Sequence, residues 1–354
     1  MPCPVRVAAD LLLFALTSGV AIAIMKREAS TCSSAPKCES SSCEAPKTLR
    51  NSAFVFIKPH ANTEATQAFV KSKLQSSGLT ILSECDIDGP TIDKKKLIDQ
   101  HYYAIASKAT ILPASEIPVP TDKFEAEFGE KWATVLEEKR ACNAMEACER
   151  FQCDTKTLND AWQKAKAVKF GGGFYCAYFA VKEGGPKLYV FNAFFMTMRG
   201  KFCQPGTSIH CYEVEWNPAF LSWSDFRNKL LGPTDPAEAP VDSIRGTILS
   251  KYKEFGLKSV PDKGDNGVHA SASPFEGLAE KTNWLKKSIE EDNFGKALLA
   301  HGIALETIKE WSVDPRVQLP EGGQGSVFDA LEDMDAEDCL AKLVELNNAN
   351  ANLI

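Results

Sequence analysis

The sequence lacks several features that would place it in a common class. It has no excess of positive charge: 47 acidic residues against 40 basic ones give a net charge of -7, whereas general nucleic-acid binding needs clustered Lys and Arg. It has no GxxxxGKS/T segment, and we interpret Gly171-Gly172-Gly173 as a bend between a helix and a strand. Its 12 cysteines form no paired CxxC motifs at zinc spacing. Any phosphate recognition must therefore be local.

The N-terminal region has no uncharged run long enough to span a bilayer with ease. The run from Leu11 to Met25 falls short of the roughly 20 residues that a membrane helix needs. Ala21-Ile22-Ala23 favours cleavage by a signal peptidase, whereas Lys26-Arg27 suits an anchored helix. Residues 1–28 are therefore predicted to be a hydrophobic leader or a signal anchor. Membrane association through residues 8–25, secretion and plastid targeting all stay open.

The rest of the chain divides by composition. Residues 29–50 are rich in Ser, Cys and Pro and are predicted to be a linker. A folded domain is expected at 51–287, because 44% hydrophobic content allows a buried core. Residues 288–354 show two helical patterns separated by Pro315 to Gly325, and their acidic stretch favours a solvated helical tail.

The start of this domain has the pattern of a β-α-β-α unit. Ala53 to Ile57 is a short apolar run typical of a buried strand. A helix is expected to begin at Asn62 or Thr63, followed by a strand at 79–83 and a helix at 92–106.

The later part of the domain is predicted to mix helices with strands. Residues 107–170 read as mostly helical, and strands at 174–181 and 188–190 flank a hairpin turn. Further elements are a strand at 209–214 and helices near 218–231, 239–255 and 274–287.

His269 is the residue whose surroundings point most clearly to chemistry. It follows a short apolar step in NGVHAS, and Glu280 lies eleven positions later on a predicted helix. If that helix folds back, the carboxylate holds one imidazole nitrogen and leaves the other free as a nucleophile. A phosphoryl group accepted there also needs cations around its oxygens, and the candidates are Lys58, Arg227 and Arg245.

Several segments resemble, in their order, those of the nucleoside diphosphate kinase family. They are FVFIKP (54–59), QHYYAIA (100–106), LLGPTDPAEAP (230–240), SIRGTI (243–248) and NGVHAS (266–271), followed by Glu280 and Trp284. The likeness covers about 51–105 and 210–286. It implies an α+β fold in which helices flank a ferredoxin-like antiparallel sheet, elaborated by a helical and β-hairpin insert at about 107–208 and a helical C-terminal tail.

The resemblance also implies roles for individual residues. His269 would be phosphorylated, Glu280 would orient it and Ser271 would lie beside it. Base stacking would come from Phe124 or Phe128. The remaining nucleotide contacts would come from Lys58, Tyr102 and Arg245 on phosphate oxygens, Thr234 near the β-phosphate, and Asn266 with Lys58 on the ribose hydroxyl.

The sequence departs from the family pattern at three positions. The second phosphate-binding Arg is replaced by Asn228, so Arg227, one residue earlier, is the candidate, with Lys229 or Arg199 as alternatives. Two supporting acidic residues are replaced by His60 and Ala272.

The resulting prediction is a nucleoside diphosphate kinase that works in ping-pong fashion on nucleoside tri- and diphosphates. Mg²⁺ would be held through the nucleotide phosphates and water, so no side-chain metal site is predicted. No nucleic-acid partner is expected, and a homo-oligomer stays open. The alternatives are a catalytically weakened nucleotide-binding or scaffold protein on the same fold, and a membrane-tethered adaptor acting through the Cys-rich linker and the acidic tail.

Overall fold

The part of the chain that a computed structural model describes is residues 49–351. The predicted leader at 1–28 and nearly all of the linker at 29–50 lie outside the described residues. Within 49–351, no helix is both long enough and apolar enough to cross a bilayer.

Strands and helices alternate along the described residues. The strands are β1 (Asn51–Ile57), β2 (Thr80–Asp88), β3 (Ala141–Asn143), β4 (Val168–Gly171), β5 (Phe174–Phe179), β6 (Leu188–Phe191), β7 (Ser208–Trp216), β8 (Val268–Ala270), β9 (Arg316–Gln318) and β10 (Gln324–Ser326). The helices are α1 (Glu64–Ser76), α2 (Gly89–Lys94), α3 (Leu97–His101), α4 (Tyr103–Ala106), α5 (Thr121–Phe128), α6 (Trp132–Glu137), α7 (Ala144–Phe151), α8 (Thr155–Lys164), α9 (Phe195–Cys203), α10 (Trp223–Asp225), α11 (Ile244–Ser250), α12 (Pro274–Leu285), α13 (Asn293–Ala300), α14 (Leu305–Trp311) and α15 (Ala336–Ala351). Short π-helical turns occupy Ser107–Ile111 and Phe226–Leu231.

The first sheet is antiparallel and has the order β2-β7-β1-β8. With α1 between β1 and β2 and α11 between β7 and β8, this is the connectivity of a ferredoxin-like sheet. Residues of β1 are buried on both faces: Val55 and Ile57 join the core that includes α1, whereas Phe54 and Phe56 pack against Trp284 of α12. The predicted mixed α+β class with an antiparallel sheet therefore holds.

The prediction of a single helix at 92–106 is wrong. Three short helices, α2 to α4, take its place, and they are separated at Lys96 and Tyr102. Lys96 has a φ of 54°, which is incompatible with a continuing right-handed helix. The break allows Leu97 and Ile98 to be fully buried in the core and leaves His101 at the end of α3.

The insert builds a second four-stranded sheet with the order β3-β6-β5-β4. β5 and β6 form the expected antiparallel hairpin, and β3 adds parallel to β6. The glycine run that was expected to join a helix to a strand instead joins β4 to β5, with Gly173 at a φ of 60°. Helices cover both faces of this sheet, so the insert has cores of its own.

The interpretation of the C-terminal segment as a solvated extension is wrong. Leu298, Trp311 and Leu343 are buried in one core with Phe275 and Leu278 of α12. Between its helical patterns the chain forms the hairpin of β9 and β10. Because α12 also packs on β1, this segment lies next to the region around His269.

Candidate active site

His269 lies at the centre of β8, an edge strand that pairs only with β1 among the described strands. Its ring stacks on Phe56 with a centroid separation of 4.7 Å. Ser273 then caps α12 by accepting a hydrogen bond from the backbone of Glu276, and Pro274 occupies the first turn. The helix runs back past the strand and brings Glu280 to the histidine.

Glu280 joins His269 and Ser271 in one hydrogen-bonded group. Nε2 of His269 lies 2.6 Å from Oε1 of Glu280, and Oγ of Ser271 donates to Oε2 at 2.6 Å. The backbone N–H of Phe54 donates to the same Oγ at 2.9 Å, which anchors the group to β1. With Nε2 facing the carboxyl group, Nδ1 is the nitrogen left for chemistry.

Burial sets the protonation of this group. It lowers the pKa of His269 well below the usual value, and the charges of Lys58 and Arg245 act in the same direction. The imidazole is therefore neutral, as a nucleophile must be. Burial raises the pKa of Glu280 to about 8, although hydrogen bonds from Ser271 and Glu276 oppose the shift. Burial beside Glu280 also raises the pKa of Glu276 well above its usual value.

Six residues that sequence analysis assigned to the nucleotide line one cavity with His269. The cavity measures about 350 Å³. These residues are Lys58, Tyr102, Arg227, Thr234, Arg245 and Asn266, and Glu276 lines it as well. They come from the ends of β1, α3 and α11 and from the loops before α11 and β8. The fold thus brings together residues that are far apart in the chain.

Lys58 and Arg245 are two cations of this cavity whose pKa values are lowered by burial and by neighbouring positive charge. Burial, together with the charge of Arg245, lowers the pKa of Lys58 to about 8. Burial likewise lowers the pKa of Arg245 to about 10, with Arg227 adding to the shift. Arg245 donates to the carbonyl oxygens of Gly232 at 2.8 Å and Val268 at 2.9 Å, so its position is rigid. An anion would relieve the repulsion between these cations.

Asn266 provides an unsatisfied acceptor in the same cavity. Its Nδ2 donates to the carbonyl oxygen of Thr234 at 3.0 Å, but its buried Oδ1 has no hydrogen-bond partner among residues 49–351. A buried polar atom without a partner is costly, so this oxygen suits a ligand that donates a hydrogen bond, such as a hydroxyl group.

Arg227 lines the cavity but already has partners in the C-terminal segment. Its Nη1 lies 2.7 Å from Oε1 of Glu332 and 2.7 Å from Oδ1 of Asp333. The alternatives named for its role are wrong. Arg199 is buried and paired with Asp99, and Lys229 pairs with Asp225 within its own helical turn.

The placement of Phe124 as a base-stacking residue is wrong. Its ring is fully buried in the insert, against Phe128, Trp132 and Tyr189. Phe194, just before α9, and Phe202 are the phenylalanines that line the neighbouring cavity, and Phe194 is the less buried of the two. Phe194 lines a cavity of about 640 Å³. This cavity shares Lys58 and Tyr102 with the cavity of about 350 Å³ around His269, which we call the cationic cavity because Lys58, Arg227 and Arg245 line it. The length of the insert hid this relationship in the sequence.

Sequence analysis also missed His101. Its Nδ1 lies 3.2 Å from Oε1 of Glu280, and its ring centroid lies 4.6 Å from that of His269. The sequence feature that could have identified His101 is its position beside Tyr102 in QHYYAIA. The unusual His60 accepts a hydrogen bond from the backbone of Gly267 at 3.1 Å and so supports the loop before β8.

Comparison with known proteins gives likeness in structure but none in sequence. No protein-family model matches the sequence, and no curated protein matches it. Among solved structures, the chain is similar to nucleoside diphosphate kinase from Encephalitozoon cuniculi, with 14% identity over 67% of this chain and 90% of that one and a TM-score of 0.32. It is similar to an NDP kinase from Pyrobaculum aerophilum, with 18% identity over 67% and 96% and a TM-score of 0.32. It is also similar to a transition state mimic of nucleoside-diphosphate kinase from Borrelia burgdorferi with bound vanadate and ADP, with 14% identity over 67% and 87% and a TM-score of 0.31. At these identities and TM-scores, the chemistry of the site has to carry any proposal about activity.

Proposed function

We propose that this chain is a nucleoside diphosphate kinase that transfers the γ-phosphoryl group of a nucleoside triphosphate to a nucleoside diphosphate through His269. The observation that carries the proposal is the convergence of a neutral, carboxylate-held imidazole with Lys58, Arg227 and Arg245 on one cavity. A phosphoryl transfer needs a positioned nucleophile and charge stabilisation around the transferred oxygens, and these side chains are suited to supply both.

The chemistry occurs in two half-reactions. Nδ1 of His269 attacks the γ-phosphorus, the Nδ1–P bond forms, and the bond from phosphorus to the bridging oxygen breaks, so that the nucleoside diphosphate leaves. A second diphosphate then attacks the phosphohistidine with its terminal oxygen, and the Nδ1–P bond breaks. Glu280 accepts the Nε2–H throughout and stabilises the positive charge on the ring.

The neighbouring side chains then have separate tasks. Lys58 and Arg245 lie where they can neutralise phosphate oxygens, and Tyr102 and Thr234 add hydroxyl groups to the same cavity. The orphaned Oδ1 of Asn266 would accept from a ribose hydroxyl.

The nucleoside base would lie in the adjoining cavity against Phe194, since the two cavities share Lys58 and Tyr102. Stacking on an aromatic ring tolerates any base, which suits an enzyme that exchanges phosphate among different nucleotides.

The cavity fits magnesium carried by the nucleotide. Glu276 is the one carboxylate among the described residues that line the cavity, so the ion would be held mainly by phosphate oxygens and water. When bound, Mg²⁺ neutralises the phosphates and polarises the transferred group.

The direct test is to label the protein with γ-labelled ATP. Acid-labile, base-stable phosphohistidine is expected in the wild type and in His301→Ala, which removes an exposed histidine of the C-terminal segment. It should be absent from His269→Ala. Transfer of the label to a panel of nucleoside diphosphates would then show turnover. Label that persists in His269→Ala would sink the proposal.

A second candidate function is nucleotide binding without transfer. It is favoured by the pairing of Arg227 with Glu332 and Asp333, which engages a cation that the phosphates need. Calorimetric binding of ADP in a protein that forms no phosphohistidine would support this alternative.

A further inference from the structure

We infer that His101, His269 and Glu280 form a binding site for a divalent transition metal ion of the zinc class. The three side chains come from α3, β8 and α12, and His269 also lines the cationic cavity. Each offers a ligand atom, and these atoms all lie within 4.8 Å of one another. Sequence analysis predicted no side-chain metal site, because Mg²⁺ was expected to be held through the nucleotide phosphates and water.

The ligand chemistry selects the class of ion. Two imidazoles and one carboxylate are borderline ligands that suit Zn²⁺, Co²⁺ or Ni²⁺, whereas Mg²⁺ and Ca²⁺ require mostly oxygen ligands. Three protein ligands with an open fourth position is also the usual arrangement of zinc sites that keep a water molecule.

The distances allow one ion to reach all three side chains. Zn²⁺ holds nitrogen and oxygen ligands at about 2.0–2.2 Å, so ligand atoms around a tetrahedral ion lie about 3.4 Å apart. Oε1 of Glu280 lies 3.2 Å from Nδ1 of His101 and 2.6 Å from Nε2 of His269. Displacements of about 1 Å would therefore accommodate the ion.

The hydrogen-bond pattern around His101 also leaves a place for a proton or a metal ion within the cluster. Nε1–H of Trp284 donates to Nδ1 of His101 at 3.4 Å, so this nitrogen carries a lone pair. The same lone pair faces Oε1 of Glu280, which is itself an acceptor when ionised. A proton or a metal ion between the two atoms removes the conflict.

A second cavity, of about 390 Å³, opens onto the cluster. It is lined by all three proposed ligands and, from the C-terminal segment, by Val313 and Phe328. Oγ1 of Thr282, which lines the same cavity, is buried without a hydrogen-bond partner among the described residues. A water molecule on the fourth coordination position has room in this cavity.

Binding of the ion would inhibit the proposed phosphoryl transfer. The metal would take Nε2 of His269 and the carboxylate that orients it, so the ring would lose the hydrogen bond that keeps Nδ1 nucleophilic. This consequence rests on the proposed function, whereas binding of the ion does not.

The test measures metal binding by the full chain, without any nucleotide. Zn²⁺ is titrated by calorimetry and against a chromophoric chelator, and Co²⁺ is titrated by absorption spectroscopy. One ion per chain is expected, and its affinity should fall by roughly a factor of ten or more in His101→Asn.

The matched control is His210→Asn, which should bind as tightly as the wild type. His210 also has two acidic neighbours, but Asp86 and Glu84 contact opposite ring nitrogens and so cannot share one ion with a single nitrogen. Circular dichroism checks that both variants fold. If His101→Asn does not fold, paramagnetically shifted imidazole resonances of the Co²⁺-loaded wild type serve instead, and two coordinated rings are expected.

Three results would overturn the inference. They are the absence of stoichiometric binding, equal affinity in a folded His101→Asn, and a thiolate charge-transfer band that assigns the Co²⁺ to cysteines. The last outcome matters because eight free cysteines lie in the described part of the chain. Failure of phosphohistidine labelling in metal-free protein would leave the metal result intact, so the two proposals fail separately.

Discussion

Nη1 of Arg227 lies 2.7 Å from Oδ1 of Asp333, and this contact brings the C-terminal segment to the wall of the cationic cavity. The backbone N–H of Asp333 also donates to the carbonyl oxygen of Ala272 at 3.0 Å, which links the segment to the loop after His269. The acidic pair of Glu332 and Asp333 thus engages the guanidinium that the proposed function assigns to phosphate.

Removing this acidic pair should tighten nucleotide binding. In the double variant Glu332→Gln with Asp333→Asn, Arg227 no longer has carboxylates to neutralise, so phosphate gains a cation. The ion pairs of Arg227 with Glu332 and Asp333 are partly exposed, so each contributes at most about 1 kcal/mol of interaction free energy. The expected gain in ADP affinity is therefore roughly fivefold. Calorimetry measures the affinity. Glu321→Gln, which changes an acid of the same segment that pairs with Lys342, should leave it unchanged.

Replacement of Glu280 should slow phosphorylation of His269 by roughly a factor of 100 or more. In Glu280→Gln the amide can donate to Nε2, which would force the ring proton onto Nδ1 and block the nucleophile. Rapid-quench measurement of label incorporation gives the rate. A rate within threefold of the wild type, in a protein with unchanged ADP affinity, would show that the carboxylate does not orient the ring.

The rate of phosphorylation should rise with pH through the titration of Glu280. Burial raises the pKa of this carboxyl group to about 8, and its ionised form stabilises the positive charge that develops on the His269 ring better than the neutral acid does. The free protein should therefore react faster above pH 8 than at pH 6. The pH profile of single-turnover labelling shows this inflection, and Glu280→Gln should lack it.

The free energy of unfolding, in contrast to the rate of phosphorylation, should fall as pH rises. Because the folded protein holds the Glu280 proton more tightly than the unfolded chain, the contribution is complete below the ordinary pKa of 4.5 and is lost as pH rises towards about 8. Urea unfolding of Glu280→Gln between pH 5 and 8 should show a weaker decline in the free energy of unfolding than the wild type. Equal slopes would mean that the carboxyl group titrates normally.

Asn266→Ala should weaken discrimination between ribose and deoxyribose nucleotides. The buried Oδ1 lacks a partner, so a ribose hydroxyl that donates to it contributes about 1 kcal/mol, or roughly fivefold in affinity. The ratio of affinities for ADP and 3′-deoxy-ADP should approach one in the variant. An unchanged ratio would place the sugar elsewhere.

Alanine variants of Phe194 and Phe124 should affect different properties: nucleotide binding in the first and the free energy of unfolding in the second. Phe194→Ala is expected to raise the nucleotide KM, because the ring lines the cavity beside Lys58. Phe124→Ala should cost about 3–5 kcal/mol in unfolding free energy, because the ring is fully buried in the insert. Thermal unfolding and steady-state kinetics on both variants distinguish the two roles.

Short-range signals in the sequence predicted local elements well. Thr63 caps α1 with a hydrogen bond from Thr66, and Gly78 ends the turn after it with a φ of 84°. The hairpin turn signal between two apolar runs located β5 and β6. The broken helix near Lys96 escaped prediction, because its backbone turn is stabilised by burial of Leu97 and Ile98 and not by a local breaker.

Candidate site residues were predictable where a motif surrounds them. His269, Lys58, Arg245 and Asn266 were all named from their segments, and they line one cavity. Phe194 was not, because it lies within the insert at about 107–208, whose packing has no counterpart in the motif. The prediction for Phe124 failed for a related reason. The sequence of a helical stretch does not show whether an aromatic ring in it packs in a core or contacts a ligand.

The amino-acid sequence by itself determined which residues have the chemical groups that a site could use, since hydrogen-bonding capacity, charge and helix caps are properties of a residue and its near neighbours. Only the tertiary structure decided which of them share an environment. It brought His101 to Glu280 and set Glu332 and Asp333 against Arg227. The reason is physical: distances across a fold, and the desolvation that shifts pKa values there, depend on packing between elements that are far apart in the chain.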